Sequence, residues 1–143
     1  MDKRTRAREL AMQAACQLDV QGKDSLDFIN AFFAENETNP AICQMAAKWV
    51  NGLWENLSQC DSLIKQAAIK WELSRISMVD KSILRLSVYQ LKYCPDIPAK
   101  VVINEAIEIA KKFSSLQAPG FVNGVLDAIL KKLENDQKEN QDG

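Results

Sequence analysis

The chain has no histidine. This removes the commonest general acid/base and the usual middle member of a catalytic triad. Neither G-x-x-x-x-G-K-[ST] nor G-x-G-x-x-G occurs, so no phosphate cradle of those kinds is visible. Carboxylates or lysines could still do chemistry in principle, but nothing in their spacing points to it. Glycine and proline are scarce, at five and four of 143 residues. No segment alternates apolar and polar residues with period two, which argues against sheet. No apolar run approaches the ~18 residues that suggest a membrane span. The N-terminus is rich in arginine but lacks an apolar segment, so it does not read as a secretory signal, and Asp2 and Glu9 speak against a mitochondrial presequence. Cys16, Cys43, Cys60 and Cys94 form no C-x-x-C pair. They read as buried, reduced thiols of a cytosolic protein rather than as zinc ligands. No metal and no cofactor is expected.

What is present is helix. Hydrophobic residues make up 47% of the chain, enough for one core, and the length suits one domain. The stretch from Trp71 to Lys112 organises the rest. Between about Ser77 and Tyr93, Val79, Ile83, Leu86 and Tyr93 share one face at 100° per residue, and Leu84, Val88 and Leu91 share another. A helix with two apolar faces is packed from both sides, so this segment is predicted to be central. Ser77 with Asp80 resembles a capping box. Lys81, Arg85 and Lys92 occupy the strip between the faces, either as a solvated strip or as a contact for a phosphate or a partner. Pro95 and Pro98 break the pattern. Pro98 then suits the first position of a helix over 99–113 that buries Val102, Ala106, Ile109 and Phe113. In that helix Glu108 and Lys112 are spaced to pair.

Five further helices are predicted. The first spans 3–20, with Ala7, Leu10, Ala11, Ala14 and Leu18 inward. The second runs from Leu26 to Glu35 behind a cap at Asp24 or Ser25, with Phe28, Ile29, Phe32 and Phe33 buried. The third runs from Pro40 to Ser58 with Asn39 as cap, Trp49 and Trp54 as core or half-buried anchors, and Gly52 allowing a close helix approach. The fourth runs from Asp61, as cap, to Trp71. The last spans Phe121 to Leu133, after a turn at Pro119-Gly120. Residues 1–134 are expected to be one domain, and 135–143 a polar, acidic, disordered tail. Charge is uneven along the chain. Lys3, Arg4, Arg6 and Arg8 make a basic start, with Arg4 and Arg8 along one side, and Glu134, Asp136, Glu139 and Asp142 make an acidic end. Arginine forks suit phosphate oxygens, so the basic start is either a nucleic-acid contact or a frayed, solvated terminus.

Three segments carry a resemblance: RTRARELAMQAA (4–15), WELSRISMVDKSILRLSVYQL (71–91), and IPAKVVINEAIEIAKKF (97–113) followed by FVNGVLDAIL (121–130). In content, order and spacing they resemble the NusB family of bacterial transcription antitermination factors, over nearly the whole chain. The resemblance implies an all-α fold of about seven helices in two small packed bundles, and no catalysis. It also implies binding to boxA-type single-stranded RNA of the ribosomal RNA leader together with the ribosomal protein NusE. The pair then joins other Nus factors on RNA polymerase, in the bacterial cytoplasm and not at a membrane, so that the polymerase resists termination in ribosomal RNA operons. Carried onto this chain, the RNA contacts fall on Lys3, Arg4, Arg6, Arg8, Phe121 and Asn123, and the contact with the protein partner on Asp80. For Phe121 a core position is an equal alternative. Asn104 and Glu105 read as structural.

The chain departs from the family pattern in a short basic start and at three further places. Cys16 stands where an aromatic, usually Tyr, lies near the RNA. Gln90 replaces a Glu, and Pro119-Gly120 replace the basic or polar residue before FVNG. A second reading is therefore a protein–protein scaffold with this fold and weakened RNA binding. NusB-like domains also precede the catalytic part of some RNA methyltransferases, but the chain shows no methyl-donor motif, and an enzyme is not expected.

Overall fold

Helix α5, Met78–Tyr93, is buried without interruption from Ser82 to Gln90, as its two apolar faces require. Ser77 caps it, accepting from the Asp80 N–H at 3.1 Å. The reciprocal half of a capping box is missing, because the Asp80 carboxylate is bound to Ser114 instead. The computed structural model describes residues 1–22, 26–70 and 72–142. Among them are seven α-helices, one turn of 3₁₀ helix at Leu73–Arg75 and no strand. Helices α1 (Lys3–Gln21), α2 (Leu26–Asn36) and α3 (Pro40–Glu55) pack on one another. So do α4 (Leu57–Ala67), α6 (Ala99–Phe113) and α7 (Ala118–Asp142) around α5. Helix α5 also packs on α1 and α3, so one apolar core runs through both groups. The expected all-α fold of seven helices is present.

Local chemistry explains most element boundaries. Asp2 caps α1, its Oδ1 accepting from Arg4 N at 2.8 Å, and Gly22 ends the helix at a φ of 91° that suits glycine. Asn39 caps α3 ahead of Pro40. The cap predicted at Asp24 or Ser25, the Phe28 side chain and Trp71 lie outside the described residues.

Three boundaries differ from expectation. The third and fourth helices divide at Asn56, not between Ser58 and Asp61. The Asn56 amide donates to the Gly52 carbonyl at 2.8 Å, a side-chain bond that competes with helix continuation, and its backbone leaves the helical region at φ −118°. Asp61 is thus inside α4 and not its cap. Helix α7 begins at Ala118, so Pro119-Gly120 form its first turn and not a turn before it. Proline is tolerated there because a first-turn N–H has no helical partner to lose. Helix α7 also continues to Asp142, where a disordered tail was expected. Its residues from 134 to 140 are exposed, and the pairs Lys131–Asp127 and Lys132–Asp136 brace the preceding turns along the surface.

Two of the three residues in the charged strip of α5 are neither solvated nor open to a partner. Arg85 is buried and held by three carboxylate contacts, from Nε and Nη2 to Asp61 at 2.8 and 2.9 Å and from Nη1 to Asp19 at 3.0 Å. Lys81 joins Asp19 at 3.1 Å. One guanidinium thereby ties the end of α1 to α4. Burial alone would raise the Asp19 pKa, but Arg85 and Lys81 outweigh it and hold the carboxyl below its ordinary value. Lys92 alone stays exposed, over the Tyr93 ring.

Candidate nucleic-acid interface

The four basic residues at the start of α1 meet three different fates. Lys3 and Arg4 are exposed. Arg6 is half-buried and turns to the end of α2. Its Nε donates to Glu37 at 3.0 Å, its Nη2 to the Asn36 carbonyl at 2.9 Å, and Glu9 is 3.5 Å from Nη1. The backbone N–H of Asn39, then Arg6, hold the Glu37 carboxyl below its usual range.

Arg8 is enclosed, only 3% exposed. The sequence pattern placed it beside Arg4 on a phosphate-facing side. In the fold, Ala7, Leu10, Ala11 and Ala14 draw that side of α1 inward and take Arg8 with them. Its guanidinium lies 5.3 Å from the Trp49 ring, donates from Nε to Gln90 Oε1 at 3.3 Å and sits 3.7 Å from Glu105. Burial lowers its pKa below the ordinary value, with Glu105 opposing the shift. Arg8 Nη2 and Gln90 Nε2 are both buried without a hydrogen-bond partner. Arg8 is therefore a core group rather than a surface cation.

Glu105 is structural, as expected. It accepts from Thr5 Oγ1 at 2.7 Å and so pins α6 to α1. Asn104 is exposed instead. Lys112 pairs with Glu9 at 3.0 Å across to α1, and Glu108 pairs with Lys111, so the predicted Glu108–Lys112 pair does not form. The long-range carboxylate of Glu9 is nearly buried and holds Lys112 more effectively than an exposed neighbour would.

Two of the other predicted residues come together. Asp80 and Phe121 line one cleft of about 180 Å³, with Arg75, Ser77 and Gln117. The α6–α7 connection closes one side, because Ser114 Oγ donates to Asp80 Oδ1 at 2.6 Å. Phe121 is half-buried, packs against the core and lines the cleft. Its N–H donates to the Gln117 carbonyl at 3.2 Å, so it is already spent within the helix and is not an anion donor at a helix start. Asn123 is exposed less than a turn further on. Sequence reasoning missed Ser114, Gln117 and Arg75. Their only signal was position, in the short connections that flank Asp80 and Phe121.

Cys16 is half-buried, with Sγ 3.1 Å from Ser82 Oγ. Among the described residues no group of three or more His, Cys, Asp or Glu side chains could hold a metal ion, and no helix is long and apolar enough to cross a membrane.

A family model described as the NusB family matches residues 5–131. The chain is 42% identical over 132 residues to the transcription antitermination protein NusB of Bacillus subtilis, covering 92% of this chain and 98% of that one. It is 38% identical over 141 residues to the protein of that name from Syntrophus aciditrophicus, covering 97% and 88%. Among solved structures it is similar to NusB of T. maritima, with a TM-score of 0.79 and 35% identity over 92% of each chain. It is also similar to a chain in a crystal structure of antitermination factors NusB and NusE in complex with dsRNA, with a TM-score of 0.83 and 27% identity over 92% of this chain and 98% of that one.

Proposed function

This chain belongs to the NusB family, and from that premise we propose that it is a transcription antitermination factor that binds boxA-type RNA together with NusE. It works by binding, without catalysis, in the bacterial cytoplasm, and residues 1–134 form the binding domain. The observation that carries this reading is the cleft that joins Asp80, assigned to the protein partner, to Phe121, assigned to the RNA. Two weak surfaces that meet at one place raise each other's effective affinity. Lys3, Arg4, Phe121 and Asn123 supply the RNA contact. Arg6 joins them by exchanging Glu37 for a phosphate. Arg8 supports the fold from within. The complex then joins the other Nus factors on RNA polymerase, so that transcription resists termination.

Fluorescence anisotropy of a labelled boxA-type RNA tests the proposal. The titrant is this protein alone and then with NusE, at two salt concentrations, with a scrambled RNA as control. Specific, salt-sensitive binding that tightens with NusE is the expected result. Capture of NusE with no specific RNA binding would favour the second reading, a protein scaffold. That reading draws on the enclosure of Arg8 and the neutralisation of Arg6 by Glu37 and Glu9.

A further inference from the structure

We propose that the cleft at the end of α4, beside Ile69, docks an acidic protein segment with aliphatic side chains, supplied by the polymerase-bound assembly that the complex joins. The inference rests on the antitermination reading above. It assigns a third surface, separate from those given to RNA and to NusE.

The cleft measures about 610 Å³ and opens where α4 gives way to the 3₁₀ turn at Leu73–Arg75. Helix α4 stops at Ala67, and the Ala68 N–H closes it on the Ile64 carbonyl at 2.8 Å. Ile69 is thereby left just past the helix end, 86% exposed. Ala68, which is buried, and Leu73, which is half-buried, line the cleft with it. One exposed aliphatic residue is ordinary on a protein surface. This one borders a cleft whose other apolar lining is also aliphatic. A second, Val20, is 63% exposed and follows Asp19, which holds the lining Lys81. Exposed apolar groups gathered at a cleft and rimmed by charge mark a surface that a protein partner covers.

The charges set the kind of partner. Lys65 lines the cleft and Lys70 follows Ile69. Both are exposed, and neither pairs with a carboxylate among the described residues. Lys81 is taken by Asp19 at 3.1 Å, and the acidic residue of the lining, Glu72, meets Arg75 at 3.8 Å. Two cations are left without a counter-charge, so the complementary surface is acidic. Across the 3₁₀ turn the sign reverses. The Asp80 carboxylate is held there by a neutral hydroxyl, that of Ser114, and Arg75 in the same cleft is turned to Glu72. That cleft calls for a basic group, so one segment of a single sign does not suit both. Two partners side by side do. RNA matches the lysines but not the walls. Single strands stack on aromatic faces, and Ala68, Ile69 and Leu73 offer none.

The test uses a labelled boxA-type oligonucleotide held by this protein and NusE, titrated with RNA polymerase carrying the other Nus factors. Ile69→Ser removes the apolar anchor, and Lys65→Gln with Lys70→Gln removes the charge. Each change is expected to weaken association with the polymerase assembly about tenfold, as loss of an anchor or of a complementary charge does. RNA affinity, NusE affinity and melting temperature should stay native, since all three residues lie on the surface. Native association in both variants would overturn the docking site and leave the RNA and NusE reading standing. A loss of RNA affinity in the lysine variant would assign the rim to RNA and overturn the proposal. A loss of NusE capture in Ile69→Ser would make the cleft part of the NusE surface, with the same consequence. A native protein that binds neither RNA nor NusE would overturn the reading beneath the proposal as well.

Discussion

Gly52 of α3 lies against the ring of Tyr89 on α5, and a Cβ at residue 52 would collide with the Tyr89 hydroxyl and ring carbons. The two helices are as close as their backbones and this one aromatic allow. A glycine inside a helix costs about 1 kcal/mol relative to alanine. The close approach that it permits offsets that cost.

Gly52→Ala therefore sets a gain in helix propensity against a steric clash with the end of the buried Tyr89 side chain. The clash wins, because overpacking a well-filled interior costs about 1–3 kcal/mol. Chemical denaturation should show a net loss of stability. Tyr89→Ala should cost less in the Gly52→Ala background than in the native one. Equal costs in both backgrounds would mean that the two residues do not limit each other.

Gln90→Glu should stabilise the protein. It gives the buried Arg8 guanidinium a charged acceptor in place of an amide whose own nitrogen is unpartnered. Hydrogen bonds to charged groups contribute about 1.5–3 kcal/mol, and the melting temperature should rise at pH 7. An unchanged or lower melting temperature at pH 7 would mean that desolvation of the pair prevails.

Asp19 gives a pH signature. Its folded pKa lies below the ordinary carboxylate value, so its contribution is full above about pH 4 and is lost as the pH falls through the folded pKa. Asp19→Asn leaves Arg85 with only Asp61 and should cost about 1–3 kcal/mol at neutral pH. Its stability should then vary less than that of the native protein between pH 5 and 2. Parallel stability curves for the two proteins would contradict the assignment.

For RNA, the prediction separates neighbours in one short segment. Lys3→Ala with Arg4→Ala should leave the melting temperature nearly unchanged and reduce the salt dependence of RNA affinity by about 0.7 per phosphate contact removed. Arg8→Ala should instead lower the melting temperature, because it empties a space beside Trp49 and Gln90. A folded Arg8→Ala protein with native stability and a reduced salt slope would place Arg8 on the RNA surface.

Periodicity read the apolar faces well. The doubly packed α5, the extents of α1 and α6 and the role of Gly52 all follow from side-chain spacing. What spacing does not carry is the identity of a polar partner distant in sequence. Arg85 looked like part of a surface strip because Asp19 and Asp61 lie 66 and 24 residues away. Arg8 looked like Arg4 because both are arginines on one side of a helix, and only the fold brings Trp49, Gln90 and Glu105 around one of them. The α3–α4 boundary was misplaced because Asn56 ends α3 through a local amide bond, whereas Asp61, a good cap by type, is needed elsewhere. In the candidate site, Asp80 and Phe121 rest on family resemblance. Their meeting in one cleft was not legible, since it depends on the path of the α6–α7 connection.

The Asp80–Ser114 bond has a thermodynamic corollary. It fastens the start of α5 to the connection that leads into α7 and Phe121, so a ligand that captures the Asp80 carboxylate must release Ser114 and loosen the other wall of the cleft. Occupancy at one wall then changes affinity at the other, and such coupling is reciprocal: whatever factor the protein partner adds to RNA affinity, RNA must return to the partner. Breaking the fastening with Ser114→Ala should move both affinities together.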